Sequence, residues 1–550
     1  MAKEVYIAGV GLTEVDLTGR EFKNVFELFG EAYRRAVRTT PIPRLDAIQV
    51  GIMTSEEFEG RSNIAAKIAD RLRLTGIPAV RTETASSTGA AAFHEACYKV
   101  ASGRFDNVLV LAGERMKTVD TRAATAIMSK TIDPVERRFG FTMPALIALV
   151  TQAWFRERKL RGARISEVLA HLMYRAHALG SENPIAAFRG RPEPVEAYHE
   201  DPRNLPVATP LRRKDCSPLC DGAAAVLLTS RPQAVRVAGL GSATETSSIL
   251  DRDHLACLDA TREAARIAYW QAGIANPREL EGRVVEIHDA FNSLLPISLA
   301  DLDLVDPDDA IEALVGAARR KPVDPYANPV TGVRGPCPVN LSGGLKARGH
   351  PVGGTGLYQI VEVYLQIAQR FPNLRAQVPN ARLGIAHSIG GPGNNVYVTV
   401  IEDSDNRRER ARLPRPEPRI GQRAERRERR GGARLHGARA VIEAATSIYV
   451  TAQNVPAPVH VALLTIDGRR AFAKLDHAPG DAERPERVLA GQSARILVKD
   501  DGDQYFQIRR RRGWDVGRLV DSIRKRAPRR RPAEPPAADA DSERPRRGRP

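Results

Sequence analysis

The chain has 550 residues and carries 83 Lys and Arg against 66 Asp and Glu, a formal net charge of +17. Its hydrophobic content of 42% excludes a wholly disordered chain, and its length predicts several domain-sized units. The charge is local, because residues 404–550 hold 35 basic and 20 acidic side chains and residues 1–403 have a net charge of only +2. A nucleic-acid-binding surface over the whole molecule is therefore not indicated.

Residues 1–403 alternate predicted strands and helices in two series. In chain order, the first series is strand Val5–Val10, helix Phe22–Val37, strand Asp46–Met53, helix Asn63–Arg73, strand Ala79–Ala85, helix Thr88–Ser102 and strand Asn107–Ala112. The second begins with a strand near Val235 and continues with helix Leu255–Ala272, strand Val284–Ile287, helix Gly356–Phe371 and strands Leu383–His387 and Asn395–Ile401. We predict two similar α/β halves, 1–240 and 241–403, with a largely parallel buried sheet. A mostly helical cap is inserted at about residues 120–215.

The remainder of the chain has a different composition. Residues 404–433 are a charged linker without apolar periodicity, and residues 526–550 are a Pro/Arg-rich tail that we expect to be disordered. Between them, residues 434–512 show five short strand-like runs separated by turn signals, which predicts a small all-β barrel of OB type. The predicted strands are Ala438–Ala444, Val459–Thr465, Ala471–Leu475, Ser493–Val498 and Gln504–Ile508.

Targeting signals are not apparent in the sequence. Five cysteines are few and odd in number, which argues against a secreted disulfide framework. The N-terminus indicates a strand and a glycine turn rather than a signal peptide. The longest apolar stretch, around Met143–Phe155, falls short of the ~20 residues that a membrane span needs. We therefore expect a cytoplasmic protein without a membrane span.

The first of four signatures lies in Thr82–Ala91, where a predicted strand meets a helix. A small residue at such a turn exposes its side chain next to the helix N-terminus, where backbone N–H groups stabilise negative charge. Ser86 is the candidate nucleophile there. Taken by itself, the segment favours an ordinary small-residue turn.

Three further signatures follow in chain order. His288 ends a predicted strand within Val285–Phe291 and could donate a hydrogen bond to a developing oxyanion or enolate. His350 lies within Asn340–Gly356, where crowded glycines let the backbone approach a ligand and the following proline restricts the histidine backbone. Residues 386–393 form a glycine-rich turn before the last strand.

In this order, the four segments resemble the thiolase superfamily, most closely the sterol-carrier-protein-type thiolases and their archaeal and bacterial relatives. Asp215–Ser230 and Asn183–Phe188 are also similar to segments of that family, and the Gly349-His350-Pro351 loop is the most specific element. The resemblance covers about residues 4–402. It implies a duplicated thiolase fold in five layers (α/β/α/β/α), usually dimeric, that acts on coenzyme A thioesters without a bound cofactor.

The same resemblance assigns the site residues. Ser86 stands where the family normally has the acylated cysteine, His350 is its base, and His288 helps to form the oxyanion hole. The implied substrate-binding residues are Asn340, Gly349, His387, Gly390 and Gly391. The family's second cysteine is also missing, because its two usual positions hold Ala290 and the segment Ala386-His387-Ser388.

The remaining cysteines do not replace these thiols. Cys97 lies about 13 Å along the helix that follows Ser86, and Cys337 sits between two prolines. Cys216 and Cys220 have no second Cys/His pair at the spacing of a zinc site. We therefore expect structural cysteines and no bound metal.

The predicted barrel resembles the small OB-fold proteins that accompany thiolase-like enzymes of bacteria and archaea, on segments that include Gly437–Tyr449 and Leu463–Gly468. Those partners usually carry a cysteine-rich zinc ribbon, whereas residues 404–433 contain no cysteine. Few aromatic side chains are available in the barrel, which argues against nucleic-acid binding. We expect a fused, ribbon-less module, a homodimer through the thiolase-like core, and an acyl-CoA-handling subunit as a further partner.

Three functions stay open at this point. The first is an acyltransferase that forms or cleaves a carbon–carbon bond on an acyl-CoA, with Ser86 as nucleophile. The second is a retro-aldol lyase that cleaves a β-hydroxyacyl-CoA without a covalent intermediate. The third is an inactive thiolase-like scaffold or subunit, against which the retained His288, Asn340 and His350 argue.

Overall fold

The structure of the protein is a computed structural model. It describes residues 3–38, 40, 44–316, 338–406, 439–450, 458–466, 469–475, 493–498 and 504–508. Most of the predicted linker, the whole predicted tail and Cys337 lie outside these ranges.

The strands and helices of the described ranges follow the predicted order closely. Strands β1 to β16 are Tyr6–Leu12, Ala47–Gly51, Ala79–Thr82, Asn107–Arg115, Pro206–Ala208, Leu211–Arg212, Asp221–Thr229, Val235–Thr244, Arg283–Glu286, Leu383–Gly390, Asn395–Asp403, Arg439–Ile448, Val459–Ile466, Arg469–Leu475, Ser493–Val498 and Gln504–Ile508. Helices α1 to α14 are Val25–Val37, Ser55–Phe58, Ile64–Arg71, Thr88–Ala101, Thr121–Met128, Pro134–Arg138, Met143–Glu157, Ala163–Ser181, Ala197–Glu200, Asp259–Ala272, Leu294–Asp301, Ala310–Val315, Gly344–Ala347 and Thr355–Ile367.

A nine-stranded sheet built from the described strands forms the centre of the molecule, in the order β3-β2-β4-β7-β1-β8-β11-β10-β9. Strands β1 and β8 pair at its middle. Each half places its first strand at this middle position (β1 or β8) and its last strand next to it (β7 or β11). The next strands outwards are β4 and then β2 in one half, and β10 and then β9 in the other. The predicted duplicated α/β fold is confirmed by this repeat.

The expectation of a largely parallel sheet is wrong. Strand β2 pairs in parallel with β3 and β4, and β9 pairs in parallel with β10. The other neighbouring pairs are antiparallel, because β11 follows β10 through a tight turn and β7 returns beside β4 after the cap. Strand β7 was missed in the sequence because Asp221–Thr229 is rich in alanine, which has low strand propensity.

Helices cover both faces of the sheet and fill its middle. Helix α1 packs on β1 and β7, and α10 packs on β8 and β11. Helices α4 and α14 contact each other between the two halves of the sheet, which gives the five layers. A Cβ atom at Gly11 of β1 would lie 2.6 Å from the Ala36 nitrogen of α1, and one at Gly241 of β8 would lie 2.7 Å from the Ala268 nitrogen of α10. The same close approach of helix to strand therefore recurs in both halves.

The C-terminal strands form a closed ring of five within the described residues. The order is β13-β14-β16-β15-β12, and β12 pairs again with β13. Strand β12 also pairs with β5 of the cap through Ile448 and Ala208. The five predicted strands are present, whereas the OB-fold assignment stays a prediction.

Aromatic and amide contacts join this ring of strands to the cap. The ring centroid of Phe472 on β14 lies 4.7 Å from that of Phe141 and 5.8 Å from that of Phe139. The Gln152 amide of α7 donates to the carbonyl oxygens of Thr209 and Ala445, at 2.9 and 2.5 Å. Buried aromatic pairs and satisfied amides of this kind fix one packing arrangement.

Candidate functional site

Two of the predicted site residues, His288 and His350, face each other at the ends of different elements. His288 follows β9, and His350 lies in the loop between α13 and α14. Their ring centroids are 5.1 Å apart with an interplanar angle of 88°. Both side chains are buried, with exposed fractions of 3% and 7%. The structure thus brings together two segments that lie 62 residues apart in the chain.

Hydrogen bonds fix the backbone and the ring of His350. Its N–H donates to the Cys220 Sγ at 3.1 Å, and its Nδ1 lies 2.6 Å from the Thr355 Oγ1. The Thr355 hydroxyl also lies 3.3 Å from the Pro351 carbonyl oxygen, and a hydroxyl that donates to this oxygen accepts from an Nδ1–H of the histidine. This tautomer leaves the lone pair on Nε2, where a base would act. Neither Cys220 nor Thr355 was predicted from the sequence to support this histidine.

Both histidines are neutral in this environment. Burial, with a smaller contribution from Arg348, lowers the pKa of His350 to about 3. Burial and the neighbouring His350 lower the pKa of His288 well below its usual value. The His288 Nδ1 is buried without a hydrogen-bond partner among the described residues. A neutral imidazole with an unused nitrogen is suited to exchange protons with a bound substrate.

Buried charges support the loop that carries His350. The Arg348 Nε lies 3.0 Å from the Glu362 Oε1, and both side chains are excluded from solvent. Glu286, on β9, accepts from the Ser342 Oγ at 3.0 Å. Burial and the neighbouring Glu362 raise the pKa of Glu286, and Arg348 opposes this rise. Burial, with a smaller contribution from Asp289, raises the pKa of Glu362 to about 7, again against Arg348. The loop is therefore anchored by the buried ion pair of Arg348 with Glu362 and by the hydrogen bond from Ser342 to Glu286.

Ser86 lies at the predicted turn between β3 and α4. Its side chain is 9% exposed, and its hydroxyl has no hydrogen bond within the described part of the chain. The preceding Ala85 has a φ of +53°, a backbone conformation that strains a side-chain-bearing residue. The next residue, Ser87, donates from its hydroxyl to the Thr84 carbonyl oxygen at 2.8 Å. The turn thus directs one serine to the backbone and leaves the other free.

Glycines at close contacts bring this turn to the other signatures. A Cβ atom at Gly89 would lie 2.8 Å from the Leu357 nitrogen, and one at Gly356 would lie 2.6 Å from the Ala90 nitrogen. The first turns of α4 and α14 therefore pack together without side chains between them. A Cβ atom at Gly390 would lie 2.6 Å from the Ser87 Oγ, so the last glycine-rich turn also contacts the serine turn. All four signatures meet at one place.

Two predicted binding residues make internal hydrogen bonds. The Asn340 amide accepts from the Ile287 N–H at 2.6 Å and donates to the Ile287 carbonyl oxygen at 3.0 Å. It therefore holds the strand end from which His288 projects. The His387 Nε2 lies 3.1 Å from the Thr261 hydroxyl of α10. The structure places His387 against the outer helix rather than against the His350 ring.

The remaining predicted residues shape the backbone of the site. Gly349 has a φ of +115°, and a Cβ atom there would lie 3.3 Å from the Cys220 Sγ. Gly391 has a φ of +57° and turns the chain between β10 and β11. The Ser388 hydroxyl, which sequence analysis did not select, is buried without a partner in the described residues. A Cβ atom at Gly356 would lie 2.9 Å from this hydroxyl, at the start of α14.

Glu136, in the cap, is a buried carboxyl group behind the last glycine-rich turn. Its Oε1 accepts from the Ser248 hydroxyl at 2.9 Å and from the Ile249 N–H at 2.8 Å. Burial raises its pKa from 4.5 to about 7, although Arg252 opposes the rise. Arg252 in turn donates to the Pro392 carbonyl oxygen at 2.7 Å. The Glu136 carboxyl group is therefore linked through Arg252 to the glycine-rich turn at residues 386–393.

Replacing Glu136 by glutamine is expected to remove a pH-dependent loss of stability. A carboxyl group whose pKa is raised by folding stabilises the protein fully below its unfolded pKa, and that stabilisation is lost as the pH rises through the folded value of about 7. Glutamine keeps the acceptor of Ser248 and stays neutral. The free energy of unfolding of Glu136→Gln should therefore increase relative to that of wild type as the pH rises from about 5 to about 8. Urea unfolding measures this, with the exposed Glu281→Gln as control; parallel pH profiles would contradict it.

The described cysteines are free thiols in buried or half-buried surroundings. Burial raises the pKa of Cys97, Cys216 and Cys220, so none is set up as a thiolate. In the described part of the chain, one group of metal-type ligand atoms lies within 4.8 Å, contributed by His254, Cys257 and Asp259. The Cys257 thiol donates to Asp259 at 3.4 Å and its pKa is also raised. This group is therefore a hydrogen-bonded set in its present state.

Among the described residues, no helix is both long enough and apolar enough to cross a membrane.

Comparisons with known proteins agree with this architecture. The thiolase N-terminal domain matches residues 5–163, and the family described as thiolase C-terminal domain-like matches residues 241–403. Acetyl-CoA acetyltransferase of Methanothermobacter thermautotrophicus is 34% identical over 365 residues, which cover 65% of this chain and 88% of the relative.

Two solved structures show the same fold at low sequence identity. A monomeric SCP2-thiolase like protein type 1 from Mycobacterium smegmatis has a TM-score of 0.63 at 16% identity, covering 92% of this chain and 99% of that chain. An Ltp2-ChsH2(DUF35) aldolase has a TM-score of 0.58 at 17% identity, covering 74% of this chain and 99% of that chain. With both family domains matched and a relative at this level of identity, the chain belongs to the thiolase superfamily.

Proposed function

We propose that this chain is a thiolase-like acyltransferase that forms or cleaves a carbon–carbon bond on an acyl-CoA thioester. The observation that carries the proposal is the buried, neutral pair of His288 and His350, with the Nε2 of His350 left as a base by its bond to Thr355. The similarity to an acetyl-CoA acetyltransferase supports the substrate class. No metal or bound cofactor enters the proposed reaction.

In the proposed reaction Ser86 is the nucleophile. With a 3-ketoacyl-CoA, its Oγ attacks the C3 keto carbon while the Nε2 of His350 accepts the hydroxyl proton. The N–H of neutral His288 donates to the carbonyl oxygen as it becomes an oxyanion. Collapse of the intermediate breaks the C2–C3 bond and leaves an acyl ester on Ser86, and the departing acyl-CoA carbanion takes the proton from His350. The thiol of free CoA then attacks this ester, accepts the acyl group and returns a proton to the Ser86 oxygen. Asn340 has a positioning role, because its amide is used by Ile287.

Replacing Ser86 by alanine tests the covalent step. We expect the variant to lose the acyl adduct that wild type forms with a 3-ketoacyl-CoA, because no hydroxyl is left at the turn. Intact-protein mass spectrometry and peptide mapping measure the adduct, and Ser87→Ala is the matched control because Ser87 bonds to the backbone of its own turn. An adduct elsewhere in the chain, or unchanged turnover in Ser86→Ala, would contradict the assignment.

A second candidate is a retro-aldol lyase acting on a β-hydroxyacyl-CoA. It is favoured by the absence of a thiol at positions 86 and 290, which hold Ser86 and Ala290. The ring of strands that packs on the cap also favours it, and a protein described as an aldolase has the same fold. This reaction needs no acyl-enzyme, so Ser86→Ala would stay active and a ketone or aldehyde would be released. A panel of 3-ketoacyl- and 3-hydroxyacyl-CoAs, with and without free CoA, separates the two; an inactive scaffold would turn over none of them.

We infer the domain organisation from the same observations. Residues 1–240 and 241–403 are the two halves, with the cap at about 120–215, and residues 434–512 are a fused OB-fold module. Five strands closing into a ring support the OB assignment. In this proposal the module takes the place that a separate acyl-CoA-handling subunit would occupy. We also assign the protein to the cytoplasm.

We also propose a homodimer formed through β3. This strand ends the central sheet of the described residues, and Val80 on it is 49% exposed. An unpaired sheet edge is a template for pairing with a second copy. Light scattering on the full chain is expected to give twice the monomer mass, and Val80→Asp is expected to lower it; a monomer at all concentrations, the state named for the similar mycobacterial protein, would contradict the proposal.

A further inference from the structure

A cavity of about 350 Å³ lies between the cap and the first strand of the C-terminal ring. Its walls come from α7, the start of α8, the turn between β5 and β6, and β12. Its volume falls in the range of about 300–1,000 Å³ that is typical of small-molecule sites. The histidine pair does not line it, so it is a separate feature of the fold.

Three arginines line this cavity: Arg156, Arg161 and Arg212. In the described part of the chain, none of them forms an ion pair with a carboxylate. Arg156 donates to the Glu443 carbonyl oxygen at 2.7 Å, which uses one of its five N–H groups. Three guanidinium groups without acidic partners around one cavity give it a strongly positive potential.

The one carboxylate in the lining does not offset this charge. Glu443 accepts from the Arg470 Nε at 2.8 Å and also from the Thr465 hydroxyl. Its negative charge is therefore already neutralised by an arginine outside the cavity. With Glu443 paired in this way, the net charge of the lining is that of the three guanidinium groups, of which Arg156 and Arg212 donate only to carbonyl oxygens.

The walls are held in place by contacts that cross between the cap and the ring. The Gln152 amide bridges the Thr209 and Ala445 carbonyl oxygens, and the Thr446 hydroxyl donates to Thr209 at 2.9 Å. The Tyr449 N–H donates to the Val207 carbonyl oxygen at 3.0 Å. A cavity whose walls are fixed before binding loses less entropy when a ligand enters.

We propose that this cavity binds a phosphate-bearing ligand through Arg156, Arg161 and Arg212. Planar guanidinium groups recognise phosphate by paired, charge-assisted hydrogen bonds, and the volume leaves room for a nucleoside-sized group beside the phosphate. One source of this chemistry is the nucleotide end of the acyl-CoA, which rests on the proposed function. The other is a separate phosphorylated metabolite.

Calorimetric titration of the full chain with adenosine 3′,5′-bisphosphate, CoA, pantetheine and inorganic phosphate tests the proposal. The double variant Arg161→Gln/Arg212→Gln keeps the Arg156 contact to the ring, and Arg164→Gln/Arg213→Gln removes the same charge from neighbouring exposed positions. We expect the first variant to bind the bisphosphate at least 10-fold more weakly than wild type and the second to bind it as wild type does, with pantetheine unaffected throughout. Equal affinities for all phosphate-bearing probes in the two variants, with unchanged circular dichroism, would overturn the proposal.

The same titrations separate the two sources. If the occupant is the nucleotide of CoA, saturating bisphosphate displaces CoA, and the first variant raises the KM for acyl-CoA but not for a pantetheine thioester. If the occupant is a separate metabolite, CoA and bisphosphate bind together. Both results support a phosphate site. Binding is measured without turnover, so an inactive protein that still binds the bisphosphate would refute the proposed reaction and leave this site in place.

Discussion

Replacing His350 by alanine is expected to lower kcat for the acyl-CoA reaction by about 10²–10⁴-fold, the usual contribution of a positioned base. His350 is the base in the acyl-transfer scheme, and its Nε2 carries the lone pair that would accept a proton. KM should change little, because the imidazole is too small a part of the binding surface. Steady-state kinetics on the reactive thioester from the substrate panel measure both constants.

The matched control for this experiment is His94→Gln. His94, on α4, is also buried, and burial also lowers its pKa to about 3. Its Nε2 lies 2.9 Å from the Thr399 hydroxyl of β11. We expect its kcat to stay within a few fold of wild type. Thr355→Val, which removes the partner of the His350 Nδ1, should lower kcat while Thr355→Ser restores it. A His350→Ala enzyme that keeps more than about a tenth of wild-type kcat would show that another group is the base.

Replacing Arg348 by methionine is expected to destabilise the fold by about 3–5 kcal/mol, the usual cost of leaving a buried partner charge unpaired. The arginine side chain is fully buried against Glu362, and its guanidinium lies 4.8 Å from the ring centroid of Tyr358. Without the arginine, the carboxyl groups of Glu286 and Glu362 remain buried and lose the positive charge that stabilises their ionised forms. Urea unfolding followed by circular dichroism measures the free energy of unfolding.

The double variant Arg348→Met/Glu362→Gln separates charge from packing. If the unpaired Glu362 carboxylate is the main cost, the double variant should recover most of the lost stability, because both members of the ion pair are replaced by neutral side chains and Glu286 no longer faces a second carboxyl group. The single variant should also be less destabilised at about pH 5.5 than at pH 8, since carboxyl groups with raised pKa values are protonated there and lose their stabilising effect as the pH rises. Equal losses in the two variants at both pH values would assign the effect to side-chain packing.

Much of the fold could be predicted because its signals are local. The strand at Ser493–Val498 and the start of the helix at Thr88 follow from apolar runs and turn residues alone. Strand β7 could not be predicted in the same way. Its alanines are selected by a buried position between β1 and β4, which depends on segments more than 100 residues distant in the chain.

The proximity of His288 and His350 could be predicted from the sequence, whereas the hydrogen-bond partners of the predicted residues could not. Glycine-flanked and strand-terminal histidines point to chemistry from their neighbours in the sequence, and the structure brings His288 and His350 together. Hydrogen bonds to residues distant in the chain decide which of the other predicted side chains are held inside the protein. Asn340 is used by Ile287, His387 is used by Thr261, and Cys220 supports the loop from 130 residues away. The one signal for Cys220 was its place in the segment Asp215–Ser230 that resembles the family.

The duplicated sheet has an electrostatic consequence for the reaction. Helices α4 and α14 hold equivalent positions in the two halves, and each begins with a Thr-Gly pair, at Thr88 and Thr355. Their first turns cross at Gly89 and Gly356, so both helix dipoles present their positive ends beside the serine turn and the His350 loop. Each end is equivalent to about half a positive charge, so an anion bound between the two turns would lie in the field of about one cation. This field comes from the backbone alone and persists whichever side chains occupy the two turns.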